Sequence, residues 1–149
     1  MDQTVNWNLR VLACVLCLSL AACANQSEGS TKQQGRQAVD QSLQSMGQGL
    51  RAGTWSKVEQ YFSPDYQQGY GELRDRLEQR FRDERITDLQ FTVNRVLESD
   101  GLVNAQVRWR KTWVDKNGKP GKSQGVSEFI LKPQNGTYVI VSIGGDRLF

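Results

Sequence analysis

From residue 36 onward the apolar positions follow first a helical and then an extended period. Val39, Leu43, Met46 and Leu50 recur at steps of four, three and four, which places them on one face of a helix. Gly53 then offers a stop. Gly47 and Gly49 weaken this helix but sit off its apolar face. Trp55, Val58 and Phe62 form the inner side of a second short helix that Thr54 can cap, and Ser63-Pro64-Asp65 signals a turn. Over residues 71–85, Leu73, Leu77 and Phe81 step by four, and Glu72–Arg76 and Glu78–Arg82 are spaced for ion pairs along the helix.

The period then drops to two. Leu89, Phe91 and Val93 alternate, Ser99-Asp100-Gly101 turns the chain, and Val103, Ala105, Val107, Trp109, Lys111 and Trp113 share one face of a long strand. Asn104, Gln106, Arg108, Arg110 and Thr112 take the other face. Residues 115–122 hold an Asn-Gly hairpin signal. A strand near 124–132 follows, then a turn at Pro133–Gly136. Thr137 to Ile143 is nearly all β-formers, which predicts a strand buried on both faces. Helices followed by an antiparallel meander predict an α+β fold: N-terminal helices packed on one face of a curved, mostly antiparallel four-stranded sheet.

The N-terminal stretch reads differently. Arg10 precedes an apolar run, Val11 to Ala22, of about a dozen residues, short of the ~20 that span a bilayer. Its length suits the apolar centre of a signal peptide. The run ends in Leu20-Ala21-Ala22-Cys23, which resembles the lipobox of bacterial lipoproteins. The resemblance implies cleavage before Cys23, a thioether-linked lipid and an acylated amine on Cys23, and attachment to a membrane. Several chains at about 0.8 kcal/mol per buried methylene make such an anchor essentially permanent. Ala24 stands where the enterobacterial pattern has Asp for inner-membrane retention, so the resemblance implies the outer membrane, facing the periplasm. Residues 24–36 carry almost nothing apolar and read as a flexible tether. The expected organisation is a signal peptide over 1–22, a lipidated cysteine and linker over 23–35, and a single periplasmic domain over 36–149.

Composition narrows the chemistry. The 149 residues contain no histidine, and the three cysteines, Cys14, Cys17 and Cys23, all precede the domain. Histidine-based nucleophilic schemes are excluded, and neither a zinc site built on sulfur nor a disulfide is expected. Cys14 and Cys17 have redox spacing but lie in the apolar run, outside any strand–helix context. A net charge of +3 is well short of a nucleic-acid footprint. The alternating charges of 71–85 read as a solvated helix face, and Asn135-Gly136-Thr137 as a turn.

The element order, the Trp55…Phe62-Ser63-Pro64-Asp65-Tyr66 stretch and the long C-terminal strands resemble the nuclear transport factor 2-like superfamily over residues 36–149. The resemblance implies a sheet folded around helices into a cone with an open mouth, and members that include both carboxylate-dependent enzymes and non-catalytic binding domains. Asp65, Asp88 and Asp146 lie near element ends and suit turns or caps as well as catalysis, so no catalytic residue is assigned. Lys111 is the unusual residue, a cation between Trp109 and Trp113 on the apolar face. Either these three hold a small anionic ligand inside the cone, or Lys111 snorkels to solvent at a fraying strand end, or a bulge turns it outward. Arg108, Arg110, Lys116, Lys119 and Lys122 gather on the same hairpin and suit either an anionic surface or a solvated, edge-blunting role. The expected function is a membrane-anchored envelope lipoprotein with a non-catalytic domain binding a partner protein or small ligand. The alternatives are a small carboxylate enzyme and a structural bridge from membrane to wall. No cofactor is expected beyond the lipid on Cys23.

Overall fold

The computed structural model describes residues 27–149, with side chains from Gln33 onward; the apolar run, the lipobox and Cys23 lie outside the described residues. Helix α1 spans Ser27–Ala52. It begins inside the polar stretch that reads as a tether, so the backbone there is helical rather than irregular, although Gln33, Gln34, Arg36 and Gln37 stay exposed. The compact unit that carries the core is Arg36–Phe149. Val39, Leu43, Met46 and Leu50 are fully buried, as their spacing predicts. Gly53 ends the helix at a positive φ of 71°.

The two helix glycines depart from expectation, since both are buried. A Cβ on Gly47 would lie 3.2 Å from the Phe91 ring, and one on Gly49 only 2.5 Å from the Lys57 carbonyl oxygen. Close approach of neighbouring elements, not surface position, explains them. The expected second helix is a pair of 3₁₀ turns, Trp55–Lys57 and Glu59–Tyr61, and Thr54 makes no side-chain capping bond. The stretch before Pro64 is too short for stable α-helix, so its form follows its anchors. Trp55 stacks with Phe62 at 6.2 Å and meets Tyr70 edge-on at 5.4 Å.

Helix α2, Tyr70–Asp83, buries Leu73 and Leu77. Its ion pairs form in a register other than the expected one. Arg74 meets Glu78 at 2.8 Å and Arg80 meets Glu84 at 3.0 Å, so Glu78 is taken from its N-terminal side. Strands β1 (Glu84–Ser99), β2 (Leu102–Asp115), β3 (Pro120–Gln134) and β4 (Thr137–Gly145) form one antiparallel sheet in that order. Asp100 and Gly101, then Asn135 and Gly136, take positive φ at two-residue hairpin turns. At the β2–β3 turn the Asp115 carboxylate accepts from the amides of Asn117 and Lys119, both at 2.8 Å.

β4 is buried on both faces only at its centre, where Val139 and Ile140 are successive buried residues. A register shift beside it, between Ile130 and Leu131, changes the phase of the alternation. Both edge strands are protected. On β4, Ser63 and Gln67 donate backbone bonds to Ile140 and Val141 at 2.8 and 2.9 Å. On β1, the Arg36 and Gln44 side chains donate to the carbonyls of Val93 and Phe91. Such capping removes the pairing template an open edge presents.

Candidate functional site

The inner face of β2 and β3 is built from facing pairs. Trp109 opposes Gly125, Lys111 opposes Ser123, and Trp113 opposes Gly121. A Cβ on Gly121 would lie 2.4 Å from the Trp113 indole, and one on Gly125 2.7 Å from that of Trp109. Each indole therefore occupies the space above a glycine, where no other residue would fit. The β2–β3 register runs unbroken through this stretch, so no bulge turns Lys111 outward, and the residue is only 3% exposed. It neither frays nor snorkels.

Burial forces the ammonium to find partners inside. Lys111 Nζ donates to the Leu148 carbonyl at 3.0 Å, sits 4.8 Å from the centre of the Trp113 ring and approaches Glu84 Oε2 to 3.9 Å. Loss of water, foremost, and the Arg80 guanidinium together lower its pKa from 10.5 to about 8, against the opposing pull of Glu84. The group remains mostly charged at neutral pH.

The segment after β4 closes this end of the inner face. Asp146 pairs with Val126 through its backbone amide (3.0 Å) and its carboxylate (2.8 Å). The Trp109 indole donates to Ser127 Oγ at 2.9 Å, and Ser127 Oγ donates onward to the Asp146 carbonyl at 2.7 Å. Leu148 is buried in the core at 2% exposure, and Phe149 meets Phe62 edge-on at 6.2 Å. Sequence reading missed Glu84 and Leu148. The spacing of Glu84 four residues beyond Arg80 was the one available signal for the first; two apolar residues after Gly144-Gly145-Asp146-Arg147 carry almost none for the second.

The candidate carboxylates do not converge. Asp65 sits in an exposed turn, its amide bonded to Ser63 Oγ; Asp88 accepts from Gln90 on the outer face; Asp146 is tied to Val126. Among the described residues no cluster of acidic, cysteine or histidine side chains is arranged to hold a metal ion. The cations of the β2–β3 hairpin are likewise divided. Arg108, Arg110 and Lys122 line two shallow depressions of the outer face, about 610 and 700 Å³ in volume, and Arg110 bonds Gln90 at 2.9 Å. Lys116 is drawn to the end of α2, its backbone amide on the Asp83 carbonyl at 2.8 Å and its ammonium 3.4 Å from the Asp83 carboxylate. Lys119 stays exposed in the turn.

The architecture is that of nuclear transport factor 2-like proteins, as several solved structures make plain. A conserved protein from Planctomyces limnophilus superposes with a TM-score of 0.66 at 11% identity, covering 74% of this chain and 94% of its own. A nuclear transport factor 2-like superfamily protein from Salmonella enterica gives 0.60 at 13% identity, covering 81% and 96%. A ketosteroid isomerase-like protein from Erwinia carotovora gives 0.59 at 13% identity, covering 71% and 90%. No family model matches the chain, and no curated protein matches it. At these identities the likeness carries the fold and not an activity, since one fold hosts many functions.

Proposed function

We propose that the chain is a lipid-anchored protein of the bacterial cell envelope whose folded domain binds a small ligand or a partner segment at the mouth of its cone, without catalysing a reaction. The anchor rests on the Leu20-Ala21-Ala22-Cys23 lipobox, with Ala24 favouring the periplasmic side of the outer membrane. One observation carries the binding reading: a buried ammonium, Lys111, stands against the Trp113 ring with a carbonyl oxygen as its hydrogen-bond acceptor. A buried cation costs stability unless it is compensated, and its position on an otherwise apolar face suits recognition of an oxygen-bearing group. The absence of catalysis is argued from Glu84, the carboxylate nearest Lys111, which Arg80 engages through both oxygens at 3.2 and 3.0 Å. A carboxylate engaged at both oxygens is committed to its ion pair rather than presented to a substrate.

The experiment is native mass spectrometry of the chain extracted from cell envelopes. A reproducible extra mass that Lys111→Met removes supports the site, whereas the same mass in both chains places any ligand elsewhere. Fatty-acid labelling that Cys23→Ala abolishes supports the anchor, and labelling that persists in that variant sinks it. A second reading concerns the outer face alone. Arg108, Arg110 and Lys122 lie together there, suiting contact with anionic headgroups or an acidic envelope polymer. Loss of such binding at high salt distinguishes it from the inner site.

A further inference from the structure

Residues Leu148 and Phe149 sit at the mouth in the manner of a bound molecule. One oxygen meets the buried ammonium at 3.0 Å, one branched aliphatic side chain is buried to 2% exposure, and one aromatic ring rests edge-on against Phe62. The segment has two unequal halves. Asp146 is fastened to Val126 and Ser127 by three hydrogen bonds of 2.7–3.0 Å. Beyond it, Arg147 is exposed, and among the described contacts the Lys111 bond is the one polar tie of Leu148. The outer half can leave while the inner half stays.

We propose that Leu148 and Phe149 are a built-in occupant of the site and that its external ligand is a small amphipathic carboxylate, which binds by displacing them. The inference rests on the binding reading above and names its ligand class. Charge argues for an acid. Lys111 and Arg80 share the one carboxylate of Glu84, and the neutral Leu148 carbonyl adds no negative charge to match the second cation. A carboxylate oxygen in its stead makes a charge-assisted bond, roughly twice as strong as a neutral one. Shape argues for an apolar body the size of the two side chains, since Leu148 and Phe149 fill what the ligand must fill. Removing them uncovers Phe62 and Lys111, with the Trp113 ring beside the ammonium, a wall suited to alkyl or aryl groups.

The test uses octanoate as probe, with octanol as the uncharged control, followed by tryptophan fluorescence and by amide hydrogen exchange. In the full chain, octanoate should speed exchange of residues 147–149 and leave the β2–β3 amides protected. A chain ending at Asp146 should bind octanoate about tenfold more tightly or better, because no occupant competes. Should that chain fail to fold, Leu148→Ala, which keeps the length and loosens the apolar hold, takes its place. Lys111→Met should weaken octanoate about tenfold in either background and leave octanol unchanged, as a lost charge-assisted bond requires. Lys111-dependent binding with residues 147–149 still protected overturns the displacement and leaves the site standing. No Lys111-dependent binding in either the full or the loosened chain overturns the binding reading itself.

Discussion

The two ends of the inner sheet face share one alternation and solve opposite problems. At the closed end, Val103, Ala105, Phe129, Leu131 and Ile140 are all buried and pack with Val39, Leu43 and Met46 in one apolar cluster, so every side chain finds an apolar neighbour. At the other end the corresponding positions hold Trp109, Lys111 and Trp113 opposite Gly125, Ser123 and Gly121. That end is completed by hydrogen bonds to residues 146–148. The same period of two aims both sets of side chains inward; their chemistry decides whether the interior closes on itself or needs another segment to satisfy it.

Truncation at the closed end should show the largest effect. Phe129→Ala is expected to destabilise the domain by about 3–5 kcal/mol, because a buried ring leaves a cavity that the neighbours cannot refill. Denaturant titration measures it, and a loss under about 1 kcal/mol would mean that this end repacks around the missing ring. Next come the glycines beneath the indoles. Gly121→Ala or Gly125→Ala should cost about 1–3 kcal/mol through overpacking and shift tryptophan emission; an unchanged spectrum and midpoint would show that the indoles move freely.

Lys111→Met should act in the opposite direction. A lysine whose pKa falls from 10.5 to about 8 carries roughly 3 kcal/mol of uncompensated charge that Met removes, reduced here by about 1 kcal/mol for the Leu148 carbonyl left without its donor, while Glu84 keeps Arg80 as its partner. The pH dependence follows from the lowered pKa. Between about 8 and 10.5 the unfolded chain holds a proton that the folded chain has released, so stability of the native protein rises with pH across that window. Below about pH 8 the cost of the buried charge is complete. The advantage of Lys111→Met should therefore be greatest near neutral pH and fade toward pH 10.5, and a pH-independent difference would show that packing, not charge, governs it. The smallest effect belongs to the surface of α2. Arg74→Ala removes an exposed ion pair and should leave the denaturation midpoint unchanged within error, because such pairs are screened by solvent and salt.

Much of the fold was legible because burial repeats at the period of each element. The α1 face, Leu73 and Leu77 of α2, and the inward row of β2 were all read from spacing alone. Turn chemistry was legible where a residue type answers a backbone need, as at Asp100-Gly101 and Asn135-Gly136. The failures were of another kind. Gly47 and Gly49 read as weaknesses because the elements that approach them, Phe91 and Lys57, are distant in sequence. The ion pairs of α2 were misregistered because one carboxylate had several spaced partners.

The sequence by itself determined which residues face inward, where the chain turns, that histidine and thiol chemistry are absent from the domain, and that Lys111 stands between two tryptophans. Each follows from local period, residue chemistry or composition. Only the tertiary structure decided that Lys111 is buried rather than snorkelling, that Glu84 and the Leu148 carbonyl meet it, that Asp65, Asp88 and Asp146 lie apart, and that the cations of the hairpin divide between inner face, outer face and turn. Those facts depend on long-range register and on the segment after β4 returning to β2 and β3. The free energy of a buried charge is set by the partners the fold delivers, not by its neighbours along the chain.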